Sequence, residues 1–400
     1  MSLNSLIKII TLPTISIKNN FAAFSVPSYS LFELARQNHS FHFLVAAFLF
    51  AFTPDMCQAQ ENEAGNQGFH QGGPGQVIRS IDLFDEIDAA DDSNLLNRQT
   101  EAVIIRALNY LKQSQDSEGR WEGNDSNWVA FSSFSMIAFM LNGHFPNSKL
   151  PYGPTLSKSL DAILEDGESR NDGYIGSSMY AHGLATLCLS EVWGHTDKDE
   201  RVRKALKAAV NVILRSQSEL GGWRYNPWPG GADVSVTAMQ VIALAAARQA
   251  GIFVPDATVK RGVRYLNLCH HTESGGFTYL AGMGEPGFAR TAAATFSMMM
   301  LGKHDAPEVK SGVNYIKKEK FKVLQSTPYY MYGHYYAALV MYQAGPDEFE
   351  QWYPNIRDIL LARQADNGSF ITGSGKVTYD TAIAALILSI PYGYVPAYQR

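Results

Sequence analysis

The chain has 400 residues, 46% of them hydrophobic and 18% charged, with a formal net charge of -5. That apolar content is enough for a sizeable core, so the chain is neither disordered nor fibrous. No Lys/Arg cluster interleaves with aromatics, and with the acidic balance this sets a nucleic-acid partner aside.

The N-terminal stretch differs from the rest. The run from Phe41 to Phe52 is apolar throughout but too short to span a bilayer as a helix. Cys57 and Ala59 are small residues that fit a signal-peptidase site, so residues 1–59 read as a signal peptide or an N-terminal anchor. The expectation is an exported protein, periplasmic or extracellular. The anchor form would bring peripheral membrane association with it. Residues 60–97 read as a flexible linker, rich in Gly, Gln and Asn from Glu61 to Gln76, followed by an acidic lead-in.

From residue 98 to residue 400 one couplet recurs about every 50 residues: an amphipathic helix, a turn, then a helix apolar on nearly every side. In the clearest copy, Val202, Ala205, Leu206, Ala209, Val210, Ile213 and Leu214 form one helical stripe, opposite Arg203, Lys204, Lys207 and Arg215. Further first helices carry stripes at Ile104/Ala107/Leu108/Leu111, Leu156/Leu160/Ile163, Val259/Gly262/Val263/Leu266, Val309/Gly312/Val313/Ile316 and Ile356/Ile359/Leu360. The turns read Gly119-Arg120-Trp121, Gly221-Gly222-Trp223, Gly275-Gly276-Phe277 and Gly368-Ser369-Phe370, with a glycine expected as the left-handed cap of the first helix. A second helix such as Ser235 to Ala250 has almost no polar side, so other helices must enclose it. Such pairs cannot form an open solenoid with a wet face. They close into an all-α α/α toroid of about six helical hairpins, apolar helices inside.

In that ring the N-terminal ends of the inner helices converge on one mouth, where free N–H groups favour acidic side chains. The polar and aromatic residues there are the candidate site. They are His182, Asp233, Arg290, His334 and Asp380, facing a cavity lined by Trp223, Tyr225 and Tyr332. Asp233, Ser235 and Asp380 also read as N-caps, and the two histidines as satisfied core residues. An ion pair between Asp233 and Arg290, from consecutive hairpins, would hold Asp233 ionised. Cys188 and Cys269 show no disulfide spacing, and Cys269-His270-His271 reads as a helix terminus, so no metal and no cofactor is expected.

The helix, Gly-Gly-aromatic turn and Thr-Ala-rich inner helix resemble the repeats of the squalene–hopene cyclase and protein prenyltransferase β-subunit superfamily. The likeness runs from about Thr100 to Pro391. Met179-Tyr180-Ala181-His182-Gly183, Gly221-Gly222-Trp223-Arg224-Tyr225, Phe288-Ala289-Arg290-Thr291-Ala292 and Tyr332-Gly333-His334-Tyr335-Tyr336 are similar to exported planctomycete-type proteins with prenyltransferase/squalene-oxidase repeats. This resemblance implies the toroid fold and an apolar, isoprenoid ligand in the central cavity. It transfers incompletely to catalysis. Against the cyclase pattern Asp-x-Asp-Asp-Thr-Ala the chain has Asp233-Val234-Ser235-Val236-Thr237-Ala238, which keeps the first Asp and Thr-Ala only. The Asp-x-Cys pair of the zinc prenyltransferases is missing at both Cys188 and Cys269.

The leading expectation is therefore an exported binder of an apolar ligand, its activity lost or diverged. One alternative is a divergent terpene cyclase or mutase with Asp233 as general acid. The other is a carbohydrate-active lyase or glycosidase on the same toroid, which could use Tyr332, His334 and Arg290. Oligomeric state leaves no trace in the sequence. For the leader, N-terminal sequencing should find mature protein beginning near Gln60 outside the cytoplasm; residues 1–40 intact in a cytoplasmic fraction would refute export.

Overall fold

Inner helices form where no face is polar. In a computed structural model, which describes residues 95–149, 151–319, 329–372 and 374–392, every residue from Val234 to Ala247 is buried. The leader and linker lie outside the described residues. Twelve helices are described, in six consecutive pairs. The outer members are α1 (Arg98–Ser114), α3 (Gly153–Glu168), α5 (Asp199–Arg215), α7 (Asp256–Cys269), α9 (Pro307–Glu319) and α11 (Pro346–Leu361). The inner members are α2 (Trp128–Met140), α4 (Met179–Val192), α6 (Val234–Gln249), α8 (Phe288–Met299), α10 (Tyr330–Ala344) and α12 (Val377–Ser389). Each inner helix packs on the next, and α12 packs back on α2, so the inner ring closes. Among the described residues there is no β-strand, only isolated bridges such as that between Trp223 and Asp233. The architecture is the expected α/α toroid.

Outer helices bury one stripe each, at roughly 1.5–3 kcal/mol for every large aliphatic side chain fully enclosed. In α5 the buried set is Val202, Leu206, Ala209, Val210, Val212 and Ile213. Ala205 and Leu214, read from the sequence as part of the stripe, are only half-buried. In α7 the stripe turns by one residue, to Thr258, Gly262, Tyr265, Leu266 and Cys269. The aromatic Tyr265 draws that helix round, because its hydroxyl donates to the Ala232 carbonyl at 2.7 Å. Cys188 and Cys269 are free and buried.

Two hydrogen bonds recur at the turns and explain their sequence. First, the backbone N–H of the residue wedged between helices donates to a side chain on the following inner helix. Trp121 meets Ser132, Trp223 meets Thr237, Phe277 meets Thr291 and Phe370 meets Thr381, at 2.9–3.1 Å. In the second hairpin, where the glycine–aromatic motif is unrecognisable, Ile175 donates to Nδ1 of His182 at 3.0 Å. Second, a glutamine amide ties each of three turns to the next outer helix. Gln115 donates to the Gly119 and Thr155 carbonyls, Gln217 to Gly221 and Thr258, and Gln364 to Gly368 and Val103. The last of these joins the sixth hairpin to the first.

The turn glycines have a different role from the helix cap anticipated for them. α5 ends at Arg215 with Ser216 as its cap, and Gly221 lies beyond, at φ 96°. A Cβ there would stand 2.4 Å from the Arg261 carbonyl oxygen on α7. Glycine is required because the turn runs against the neighbouring outer helix in a left-handed conformation. Gly119 and Gly368 meet Lys158 and Arg106 in the same way.

If the glutamine clasps hold the ring shut, Gln364→Ala should lower stability by about 2 kcal/mol, since it strips two partly buried carbonyls of their donor. Denaturant unfolding should show this, with the exposed Gln249→Ala close to unchanged.

Candidate functional site

Asp233 stands where a helix start meets the ring interior. It is the N-cap of α6, its Oδ1 accepting the Val236 N–H at 2.9 Å, and it is fully buried. Its Oδ2 is buried without a hydrogen bond of good geometry. Burial raises its pKa to about 6, against the opposing pull of the Val236 N–H, the nearby Arg224 and the Tyr279 hydroxyl.

Two tyrosines are brought over it by the turns. The Tyr225 carbonyl accepts the Met179 N–H at the start of α4, and the Tyr279 carbonyl accepts the Val234 N–H at the start of α6. Each loop thus covers the first free donor of the preceding inner helix, and the two phenol oxygens meet at 2.8 Å. Burial pushes Tyr279 up to about 12, with the Asp233 charge adding to it, and raises Tyr225 further. Tyr279 was missed in the sequence reading. The signal available was its place in the fourth turn, two residues after Phe277, matching Tyr225 after Trp223.

The ring centre is filled by aromatic side chains. Tyr180 on α4 reaches Tyr332 on α10 with ring centroids 6.1 Å apart, and its hydroxyl lies 3.3 Å from that of Tyr336. These helices are opposite one another in the ring, so the contact spans its diameter. Tyr336 also donates to the sulfur of Met239 on α6, and Phe131 and Phe134 on α2 pack edge-on against Tyr379 on α12. Tyr180 and Tyr379 each stand two residues before the side chain that accepts the wedge N–H. Ser235 on α6 and Ala289 on α8 hold the same register. On α2, Ala130 holds this register before Ser132, so the mouth carries tyrosines on α4, α10 and α12 and small side chains on α2, α6 and α8.

The predicted residues divide accordingly. Asp233, Tyr225 and Tyr332 share an electrostatic neighbourhood: burial raises the pKa of both phenols, the Asp233 charge adds to it, and Tyr332 is buried on α10. His182 turns the other way. Its Nδ1 accepts from Ile175 and its Nε2 lies 3.0 Å from the Ala209 carbonyl on α5, so the ring is a neutral strut between inner and outer helices. Burial lowers its pKa to about 4. Trp223 is likewise a wedge, fully buried with Nε1 donating to Ile213 at 2.8 Å. His334 packs between Phe288, Tyr330 and Trp352, the last on outer helix α11, so it faces outward from α10.

Arg290 sits in the first turn of α8 with Nη2 donating to the Glu285 carbonyl at 2.9 Å and Nε buried without a hydrogen bond. No ion pair joins it to Asp233 among the described residues; the cation near Asp233 is Arg224 of the preceding loop. Asp380 is not a cap. It lies within the first turn of α12, and its Oδ2 accepts from the Thr372 N–H at 2.7 Å; burial raises its pKa against the opposing pull of the Ser374 and Thr372 hydrogen bonds. Ser235 is likewise inside α6, not its cap. A charged surface groove of about 540 Å³ between α3 and α5 is lined by Glu168, Glu200, Arg201, Arg203, Lys204 and Lys207. Arg201 and Arg203 are ion-paired to Glu168 and Glu200, so the groove reads as a solvated charge network.

No protein-family model and no curated protein matches this sequence. Solved structures match in fold. The α-1,6-mannanase GH76A from Salegentibacter sp. HEL1_6 has a TM-score of 0.58 at 9% identity, covering 72% of this chain and 98% of that one. An inactive variant of it in complex with α-1,6-mannotetrose gives 0.56 at 11% identity, covering 73% and 100%. The type II terpene cyclase MstE from Scytonema gives 0.49 at 14% identity, covering 74% and 100%. For the two mannanase structures, at these identities, the likeness is one of architecture, the α/α toroid.

Asp233 and His182 have opposite effects on stability. An Asp with a raised folded pKa takes up its proton more readily when folded, so its contribution falls as pH rises from about 4 to about 6 and is level above that. A His with a lowered folded pKa contributes stability above about 6.5 that is lost as pH falls toward 4. In the native protein the two offset each other across that window. Asp233→Asn, which still caps a helix, should remove the first effect and leave a profile that falls steeply below pH 6. Chemical unfolding between pH 4 and 8 tests this, and superimposable profiles for native and variant protein would contradict it.

Proposed function

We propose that this protein is an exported toroid that binds an apolar, isoprenoid ligand at the mouth of its inner ring, beside Asp233. The observation that carries the reading is a buried carboxyl, Asp233, whose Oδ2 makes no hydrogen bond of good geometry, set among tyrosines in a ring otherwise closed by apolar helices. Burying polar atoms without partners is unfavourable, and such atoms persist where a ligand completes them. The aromatic walls supply large apolar faces. Between the tyrosines on α4, α10 and α12, the small Ser235 and Ala289 on the adjacent α6 and α8 offer the side of the mouth with least side-chain bulk. Tyr225, Tyr332, Arg290 and Asp380 complete the binding set, while His182, Trp223 and His334 support it through packing.

A second reading is favoured by one observation. With a pKa near 6 and no ion pair to Arg290, Asp233 is closer to a proton donor than an ion-paired carboxylate would be. It lacks the neighbouring acids that make a strong alkene-protonating centre, since Ser235 and Val236 occupy those positions. Binding without turnover therefore remains the primary reading. The carbohydrate-active alternative rests on shared architecture.

Native mass spectrometry of protein purified from its own cell envelope should show a co-purifying lipid of isoprenoid mass. Asp233→Asn should reduce its occupancy about tenfold with folding retained. Conversion of an isoprenoid by native protein, abolished in that variant, would instead establish the cyclase reading; protein recovered free of lipid and unable to take up any isoprenoid would refute both.

A further inference from the structure

We propose that Tyr225 and Tyr279 form a proton relay to Asp233, two phenols in series through which a fully buried carboxyl exchanges its proton with solvent. The relay goes beyond the ligand-binding reading, since it serves Asp233 whether a ligand there is only held or is converted.

Asp233 is fully buried. Tyr180, Tyr332 and Tyr336 meet across the ring axis, so a proton reaches the carboxyl through the loops that cover the helix starts. The loop carrying Tyr279 lies directly against it. The Tyr279 carbonyl accepts the N–H of Val234, the next residue, at 3.0 Å, and the Tyr279 hydroxyl bonds the Asp233 carboxyl. Oδ1 is committed to the Val236 N–H and Oδ2 makes no bond of good geometry, so the phenol is held loosely enough to give or take a proton. The Tyr225 hydroxyl stands 2.8 Å from that of Tyr279. Because Tyr279 directs its proton to Asp233, its oxygen is left to accept the proton of Tyr225. Both tyrosines are half-buried, and Tyr225 leads into the exposed residues 228–231.

Along this chain each phenol loses one proton and gains one. A proton from hydronium adds to the Tyr225 oxygen as Tyr225 passes its own to Tyr279, and Tyr279 passes its own to the carboxylate; the reverse sequence returns a proton to water. Neither phenol ionises at neutral pH, because burial pushes Tyr279 up to about 12 and Tyr225 further. Both therefore stay able to donate and accept. The other groups around Asp233 are engaged elsewhere or closed to water. Arg224, on the loop before α6, keeps its proton. On α7 the Tyr265 hydroxyl donates to the Ala232 carbonyl at 2.7 Å, and the Cys269 thiol is fully buried. Tyr332 on α10 bonds Tyr180. Arg290, near Tyr279, donates to the Glu285 carbonyl.

Carbon NMR of the full, ligand-free chain, isotopically labelled at its aspartate carboxyls, tests the relay; the Asp233 resonance is the one lost in Asp233→Asn. In native protein it should stay single and move with pH about a midpoint near 6, the mark of fast exchange. Tyr225→Phe keeps the ring and leaves Tyr279 in place. It should preserve the midpoint but split the resonance into separate protonated and ionised signals as exchange slows. Tyr279→Phe should split it too and also carry the midpoint to about 7, because a donor to the charged form is lost. A native resonance already split at its midpoint would overturn the relay without recourse to any variant. A resonance still single in Tyr225→Phe, or a midpoint unmoved in Tyr279→Phe, would overturn it as well. No isoprenoid is present in these measurements, so their failure leaves the ligand reading untouched.

Discussion

The bond on which the rest of this molecule depends is short and repeated: a backbone N–H at a turn, donated to a side chain one helix further on. It fixes how far each inner helix slides along its outer partner. Where Trp223 donates to Thr237, the indole is driven between α5 and α7, and Asp233 is set four residues before that threonine, at the helix start. Because Phe277–Thr291 and Phe370–Thr381 repeat the arrangement, the first turns of α6, α8 and α12 share one level of the ring. A site built from several hairpins needs that common level. Histidine serves the same end at His182, accepting through a ring nitrogen where other hairpins use a hydroxyl.

This accounts for the ambiguity of the Thr-Ala signature. In Asp233-Val234-Ser235-Val236-Thr237-Ala238 the threonine is structural, since its hydroxyl accepts the wedge N–H, and it recurs where no acid stands beside it, as at Thr291. Retention of Thr-Ala therefore says that the hairpin is built normally and says nothing of chemistry. The acids report on chemistry, and here Asp233 alone occupies its position in the third hairpin. Its Oδ1 serves as a cap and its Oδ2 is left over, so one residue joins the architecture to the site.

Filling of the ring by its own aromatics limits what the protein can hold. Tyr180, Tyr332 and Tyr336 meet across the diameter, so their side chains close off a channel down the axis. The proposed isoprenoid binding follows from the aromatic bulk gathered around one buried carboxyl at the mouth.

Much of the architecture was legible in the sequence, because an apolar stripe or an all-apolar helix reports burial directly, whatever its neighbours. Helix pairing, the inner and outer layers and closure of the ring all follow from periodicity in residues such as Leu206, Ile213, Val241 and Leu244. The helix starts at Asp233 and Tyr332, and the loop that carries Tyr225, are likewise readable from the turn and helix pattern. Side-chain direction was not legible. His182 and Tyr180 are two residues apart in an all-apolar helix, yet one faces the outer layer and the other the ring axis. The exact rotation of α4 decides which, and contacts with Ile175 and Ala209 fix that rotation. Tyr279 joined the site, and Arg290 was not paired with Asp233, for the same reason: loops of different hairpins meet only once the ring has closed.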